Sequence, residues 1–189
     1  MAITAADVNN LRQQTGAGMM DCKNALVESN GDIEMAIDIL RKKGQKIAAK
    51  RGDNDAKEGL IMAQAAADGQ SGVILALNCE TDFVAKNEGY VAFVQSIVDL
   101  ALNHRPANVD ALKALAYDGK LTLEEKIIEQ IGRIGEKLEL SSYAIIQSNK
   151  VVAYNHPGNQ LATLVGLNSN VSDAEEAGRQ VAMQIAAMN

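Results

Sequence analysis

Val73-Ile-Leu-Ala-Leu-Asn78 returns ninety residues later as Thr163-Leu-Val-Gly-Leu-Asn168, and at the same spacing Val91-Ala-Phe93 returns as Val181-Ala-Met183. A chain that repeats itself at one fixed offset builds the same supersecondary unit twice, and no other feature constrains this fold as strongly. Upstream, Leu60-Ile-Met-Ala-Gln-Ala65 resembles Tyr143-Ala-Ile-Ile-Gln-Ser148, which makes the loop between strands longer in the second copy. Each copy reads strand, turn, strand, helix. Residues 67–71 and His156-Pro-Gly-Asn159 supply the turn chemistry. The closing helices fall at 91–102, with Val94, Ile97, Val98 and Ala101 inward, and at 174–188, with Val181, Ala182, Ile185 and Met188 inward. Two more helices, near 108–117 and 123–137, separate the copies, the second opened by a Thr122/Glu125 capping-box pattern. The expected class is α+β, small antiparallel sheets each with helices on one face.

Ahead of the repeat, the first fifty residues predict three short helices. Thr4 caps the first, which carries Val8, Leu11 and Arg12 and is broken by Gly16-Ala-Gly18. The second, over 19–29, aligns Met19, Cys22, Ala25 and Leu26 on one face. After the Asn30-Gly31 turn, Asp32 caps a third helix with Ile33, Ala36, Ile37 and Leu40 inward. Gly44 is expected just past the basic end of that helix, as its C′ residue. The polar run from Lys46 to Gly59 reads as a linker. Six basic residues and no acidic one lie between Arg41 and Arg51, leaving 12 basic against 24 acidic residues elsewhere. Those cations either complement a helix C-terminus or form a patch for an acidic partner surface.

Several function classes fall away on charge and spacing. A net charge of −6 opposes bulk coating of nucleic acid or of an anionic membrane. The longest strongly apolar run, 73–77, is far short of the ~20 residues of a membrane span, and the first residues carry no secretory signal pattern. Cys22 and Cys79 form no CxxC, so neither a disulfide framework nor a zinc site is expected. No HExxH, GxSxG or P-loop lysine motif occurs, and no catalytic residue, cofactor or metal is expected. Gly132-Arg-Ile-Gly135 matches the GxxG loop of KH-type RNA-binding modules, but alone it is a weak signal and the acidic charge opposes it. The expectation is a cytoplasmic protein. The apolar face of the last helix still runs at Met188-Asn189, so the second unit is expected to be incomplete.

The copies diverge in one place that matters. After its second strand, copy one reads Glu80-Thr-Asp-Phe-Val-Ala-Lys86, where copy two has Asn170-Val-Ser-Asp-Ala-Glu175. Phe83 thereby occupies the place of Asp173. A position that accepts Asp in one copy lies near solvent. Phe83 is therefore either a hydrophobic staple folded back on its helix or an exposed apolar probe for a partner.

Leu11-Arg12, Thr15-Gly-Ala-Gly-Met-Met-Asp-Cys-Lys23, Asn30-Gly-Asp-Ile-Glu34 and Asn78-Cys-Glu-Thr-Asp-Phe-Val-Ala-Lys86 together closely resemble the bacterial elongation factor Ts family. The resemblance runs from the first helix to about residue 166, with a weaker tail. It implies a guanine-nucleotide exchange factor for elongation factor Tu, with no cofactor, no membrane and no direct nucleic-acid partner. It also implies a ubiquitin-associated-like three-helix domain over 1–52, a linker at 53–58, and core subdomains at 59–140 and 141–189, the latter incomplete. Carried over by position, Thr81, Asp82, Phe83 and Val84 match the motif associated with dislodging magnesium from the GTPase, with Phe83 as the wedge. Arg12, Met19 and Met20 match the surface that grips the nucleotide-binding domain. Ile131, Gly132 and His156 match further contacts, although Pro157 stands where the family pattern has glycine.

Overall fold

A computed structural model describes residues 3–188 of the chain. The elements run α1 (Ala5–Thr15), α2 (Met19–Glu28), α3 (Ile33–Lys50), β1 (Glu58–Ala65), β2 (Ser71–Cys79), α4 (Asp82–Ala85), α5 (Glu88–His104), α6 (Val109–Lys113), α7 (Leu123–Ile134), β3 (Leu138–Gln147), β4 (Lys150–Asn155), β5 (Ala162–Leu167) and α8 (Ala174–Met188). They divide into two units, one up to Asp55 together with Glu124–Leu138, the other Ala56–Leu123 together with Glu139 onward. The class is α+β.

In the helical unit, Thr4 and Asp7 close a capping box: Thr4 Oγ1 accepts the Asp7 N–H at 3.2 Å and Asp7 Oδ2 accepts the Thr4 N–H at 2.9 Å. Gly16 ends α1 in the left-handed region at φ 66° and donates its N–H to Arg12 O at 2.7 Å. Asp32 caps α3 by accepting the Met35 N–H at 2.9 Å. Val8, Leu11, Cys22, Ala25, Leu26 and Ala36 form the core, with Ile33, Ile37 and Leu40 packed on its margin. Met19, expected on the inward face of α2, is 58 % exposed. As the first residue of the helix its side chain leans toward the N-terminus, beyond the core.

Gly44 does not end α3. The helix runs on through it to Lys50, so Lys46–Lys50, expected as linker, are helical. Gly44 is glycine because α7 crosses there. A Cβ on Gly44 would lie 2.9 Å from Ile128 O, and one on Gly132 would lie 2.8 Å from Gly44 Cα. Two helices whose backbones touch leave no volume for a methyl group.

The second unit holds the repeat, and the offset of ninety holds more strictly than expected. In the β1–β2 hairpin Leu60 faces Leu77 and Ala65 faces Gly72; in the β4–β5 hairpin Lys150 faces Leu167 and Asn155 faces Ala162. The turns share their closing hydrogen bond, although Gly158 takes a positive φ of 94° that its counterpart Asp68 does not. Gly69 N–H reaches Ala66 O at 2.9 Å as Asn159 N–H reaches His156 O at 2.9 Å, with φ 66° at Gly69 and 53° at Asn159. The counterpart of β1 is therefore β4, and the loops are of equal length. The Tyr143–Ser148 stretch instead lies in and just after β3, a strand added to the free edge of β2 to give the order β1-β2-β3.

The hairpins are also joined symmetrically. Ile61 N–H donates to Asn159 O at 2.7 Å, and ninety residues on, Val151 N–H donates to Gly69 O at 2.6 Å. Each turn thus satisfies a backbone donor of the other hairpin's first strand. On α5 the expected face is inward, with Val94, Ile97, Val98 and Ala101 all buried. The helix expected near 108–117 is shorter, α6 giving way to an Ala116–Thr122 bridge.

The face of α8 differs from expectation. Ala174, Gly178, Ala182 and Ala186 are buried, while Val181, Ile185 and Met188 are exposed and line an open groove with Leu161, Ala162 and Thr163. Small residues let the helix approach the hairpin so closely that a Cβ on Gly178 would meet Val152 Cγ2 at 2.7 Å. Met183 is exposed as well, whereas its counterpart in copy one, Phe93, is buried and meets the Tyr117 ring edge-on at 6.0 Å. Asn189, at the end of the apolar run, lies outside the described residues.

Candidate functional site

The end of β2 delivers the sharpest feature of the molecule. Thr81 is the N-cap of α4, in extended conformation at φ −125° and ψ 152°, and α4 is a single turn. Ala85 is its buried side and Val84 is half-buried, which leaves Phe83 pointing the other way, 83 % exposed. The staple reading of Phe83 therefore fails. An exposed benzyl group forgoes the ~1.5–3 kcal/mol that burial would provide, so it is either a loss or a contact waiting for a partner.

The corner that carries Phe83 is well fixed. Cys79 is buried and its Sγ–H donates to Thr81 O at 3.2 Å. Tyr90 donates its hydroxyl to Leu77 O at 2.7 Å, tying the start of α5 to β2. On the surface Lys86 Nζ donates to Asp82 Oδ2 at 2.6 Å. This bond and the ammonium charge hold the Asp82 carboxyl below the usual carboxylate range, and the carboxylate raises Lys86 in return. The counterpart corner of copy two has exposed Asp173 where Phe83 stands.

His156 is exposed in the β4–β5 turn, its Nδ1 within 2.9 Å of Tyr154 Oη. The Asn159–Ile61 hydrogen bond sets that turn against the beginning of β1, which pairs with the end of β2. His156 and the Thr81–Val84 corner therefore share one end of the sheet unit. Nothing in the spacing of His156 reveals this; the repeat symmetry does.

In the helical unit, Arg12 is exposed in the last turn of α1, and Met19 and Met20 stand exposed at the first turn of α2. The Gly16 reversal sets these three around one corner. Arg133 joins them. Its side chain lies so close over Gly16 that an added Cβ would sit 3.1 Å from Nε. Sequence reasoning misses Arg133, because only the helix crossing brings it to this corner. Ile131 and Gly132 are placed differently. Ile131 is buried and Gly132 lies at the crossing with Gly44, so both pack inside the unit. The GxxG run is thus partly helical, ending α7, and is not an open loop. Burial raises the Cys22 thiol pKa, which makes it an unreactive core residue.

Among the described residues no group of three or more His, Cys, Asp or Glu could hold a metal ion. Nor is any described helix long and apolar enough to cross a membrane. Each unit by itself presents a corner of exposed side chains, Phe83 and His156 in one and Arg12, Met19 and Met20 in the other, suited to contacting another macromolecule.

Residues 80–189 match the family model described as elongation factor TS. The chain is 53 % identical over 190 residues to elongation factor Ts of Amoebophilus asiaticus, covering all of this chain and 68 % of that protein. It is 51 % identical over 187 residues to elongation factor Ts of Christiangramia forsetii, covering 99 % of this chain and 67 % of that one. It is also 50 % identical over 190 residues to elongation factor Ts of Parabacteroides distasonis, of which it covers 56 %. The chain thus spans about two thirds, or less, of the length of the curated relatives it matches.

Proposed function

Because the chain belongs to the elongation factor Ts family, we propose that it acts as a guanine-nucleotide exchange factor for elongation factor Tu during translation. In this reading it makes and breaks no covalent bond and needs no cofactor. It binds the nucleotide-free GTPase more tightly than the loaded one. Coupling of that kind is reciprocal: the bound nucleotide weakens the factor as much as the factor weakens the nucleotide.

The observation that carries the proposal is the exposure of Phe83 on a corner fixed from within. A ring held out by a rigid turn inserts without first paying the entropy of ordering a loop. The finer mechanism we infer is that Phe83, flanked by Thr81, Asp82 and Val84, enters the GTPase beside its magnesium site and displaces the metal and phosphate ligands. Magnitudes limit what the ring does alone. A nucleotide bound at nanomolar strength is held by about 12 kcal/mol, and one buried Phe contributes roughly 1.5–3 kcal/mol. The remaining differential affinity has to come from other contacts, for which Arg12, Met19, Met20 and His156 are the exposed candidates. Flexible thioethers suit a surface that must stay bound while its partner changes shape. Ile131 and Gly132 then act indirectly, by seating α7 under the Arg12–Met20 corner. We take 1–52 as the gripping domain, with α7 from the 59–140 stretch seated on it, 53–58 as its linker, and the rest of 59–140 with 141–189 as the core carrying the wedge.

The test is stopped-flow release of fluorescent GDP from elongation factor Tu at saturating factor. Phe83→Ala is expected to slow release far more than it weakens formation of the complex. Release at the wild-type rate at saturation overturns the wedge, and no acceleration by the unmodified chain overturns the exchange function of this length of chain.

A further inference from the structure

The second half of α3 carries Lys42, Lys46 and Lys50, all exposed, at successive intervals of four residues on one side of the helix. Neighbouring cations are already engaged: Arg41 pairs with Asp38 at 3.3 Å and Lys43 pairs with Asp21. Lys42, Lys46 and Lys50 pair with no described residue. Intervals of four residues separate the three ammonium stems by roughly 6 Å of helix axis each.

We propose that this strip is a docking site for the phosphate backbone of an RNA strand, independent of the exchange surface. Three features favour phosphates over an acidic protein. A protein interface centres on buried apolar anchors, and none of the exposed large apolar residues of this unit, Met19, Met20, Val27 and Met35, lies on this half of α3 itself. The free cations are lysines, point charges suited to single phosphate oxygens and not to the bidentate reading of base edges. Residues 1–55 and 124–138 contain no aromatic residue, so this unit offers no ring on which a base could stack. The contact is therefore to backbone alone and carries no base preference. The net charge of −12 outside residues 41–51 repels a polyanion from the rest of the chain. That keeps the contact local and sharply dependent on salt. The overall acidity of the protein and a local RNA contact are thus compatible.

Fluorescence anisotropy of a short labelled oligouridylate, titrated with the full chain at several salt concentrations, tests this. Three neutralised phosphates give a slope of about −2 in log K against log salt for a single strand. An oligoadenylate of the same length is expected to bind equally. The triple variant Lys42→Gln, Lys46→Gln, Lys50→Gln is expected to lose at least tenfold in affinity at the lowest salt while keeping its circular dichroism spectrum and melting midpoint. No binding at low salt, wild-type binding by the triple variant, or a preference for one base overturns the proposal. So does a triple variant that loses affinity for elongation factor Tu but not for RNA, which reassigns the strip to a protein surface. Because the RNA arm contains no GTPase, its result is independent of the exchange reading.

Discussion

Gly44 and Gly132 face each other across the α3–α7 crossing, with the Gly44 Cα only 2.8 Å from where a Cβ on Gly132 would stand. Gly→Ala inside a helix normally gains about 1 kcal/mol from propensity. Here the obstruction is backbone, which cannot swing aside. Gly132→Ala and Gly44→Ala are each expected to lower stability by about 1–3 kcal/mol, as overpacking does, whereas Gln45→Ala on the exposed side of α3 stays within ~0.5 kcal/mol. Urea unfolding midpoints check this; a Gly132→Ala variant as stable as wild type would mean that the helices are free to separate.

The crossing also shows what the sequence could and could not disclose. Caps and turns are legible because their signals are local: Thr4, Asp32 and the Gly16 reversal depend only on their neighbours. The hairpin repeat is legible because alternation and turn chemistry recur at a fixed offset. Gly44 reads as a helix stop because a glycine after a basic turn has the same local pattern whether it ends a helix or admits a second one. Only the partner helix, far along the chain, distinguishes these. The same holds for Tyr143–Ser148, whose apolar pattern resembles β1 although it is β4 that takes the place of β1 in the second hairpin. Phe83 stands out when the two copies are compared, and its exposure follows from the short turn that carries it.

Apolarity alone misplaces the inward face of α8. Val181, Ile185 and Met188 are larger than Ala174, Gly178, Ala182 and Ala186, yet the smaller set is buried because close approach favours it. Gly178→Ala is expected to destabilise the chain by about 1–3 kcal/mol through the clash with Val152. Ile185→Lys, at a residue 51 % exposed, is expected to change stability by no more than ~0.5 kcal/mol. Thermal melts of the two variants decide the matter, and a larger loss from Ile185→Lys than from Gly178→Ala would reverse the assignment of the inward face.

The Asp82–Lys86 pair predicts a wide pH plateau at the Phe83 corner. Asp82 titrates below its ordinary 3.8, so its contribution is complete above that value and is lost as pH falls through the lowered pKa. Lys86 titrates above its ordinary 10.5, so its contribution is complete below that value and is lost as pH rises through the raised pKa. Between these limits the corner keeps one charge state, and the pair weakens with added salt because both groups are exposed. Carboxyl carbon shifts followed by NMR are expected to give an Asp82 midpoint that rises in Lys86→Met. An unmoved midpoint would show that Lys86 does not hold the carboxylate.

Asn155 welds the two hairpins through its side chain. Its Oδ1 accepts the Ala63 N–H and its Nδ2–H donates to Ala63 O, each at 2.8 Å, so one amide imitates a neighbouring strand. Ala63 is 4 % exposed, and these are the backbone groups that turn away from β2. Asn155→Ala strands both and is expected to cost about 1–3 kcal/mol. Asn155→Asp keeps the acceptor, loses the donor and sets a carboxylate against a carbonyl oxygen. Its loss is expected to exceed that of Asn155→Ala at neutral pH and to shrink as acid protonates the introduced group, which then donates again. Amide hydrogen exchange gives the site-specific readout: the Ala63 N–H is expected to exchange slowly in the wild type and much faster in Asn155→Ala, ahead of global unfolding. An Ala63 amide equally protected in both proteins would mean that something other than Asn155 closes that edge of β1, and the symmetric joining of the hairpins would then rest on the Ile61–Asn159 and Val151–Gly69 hydrogen bonds alone.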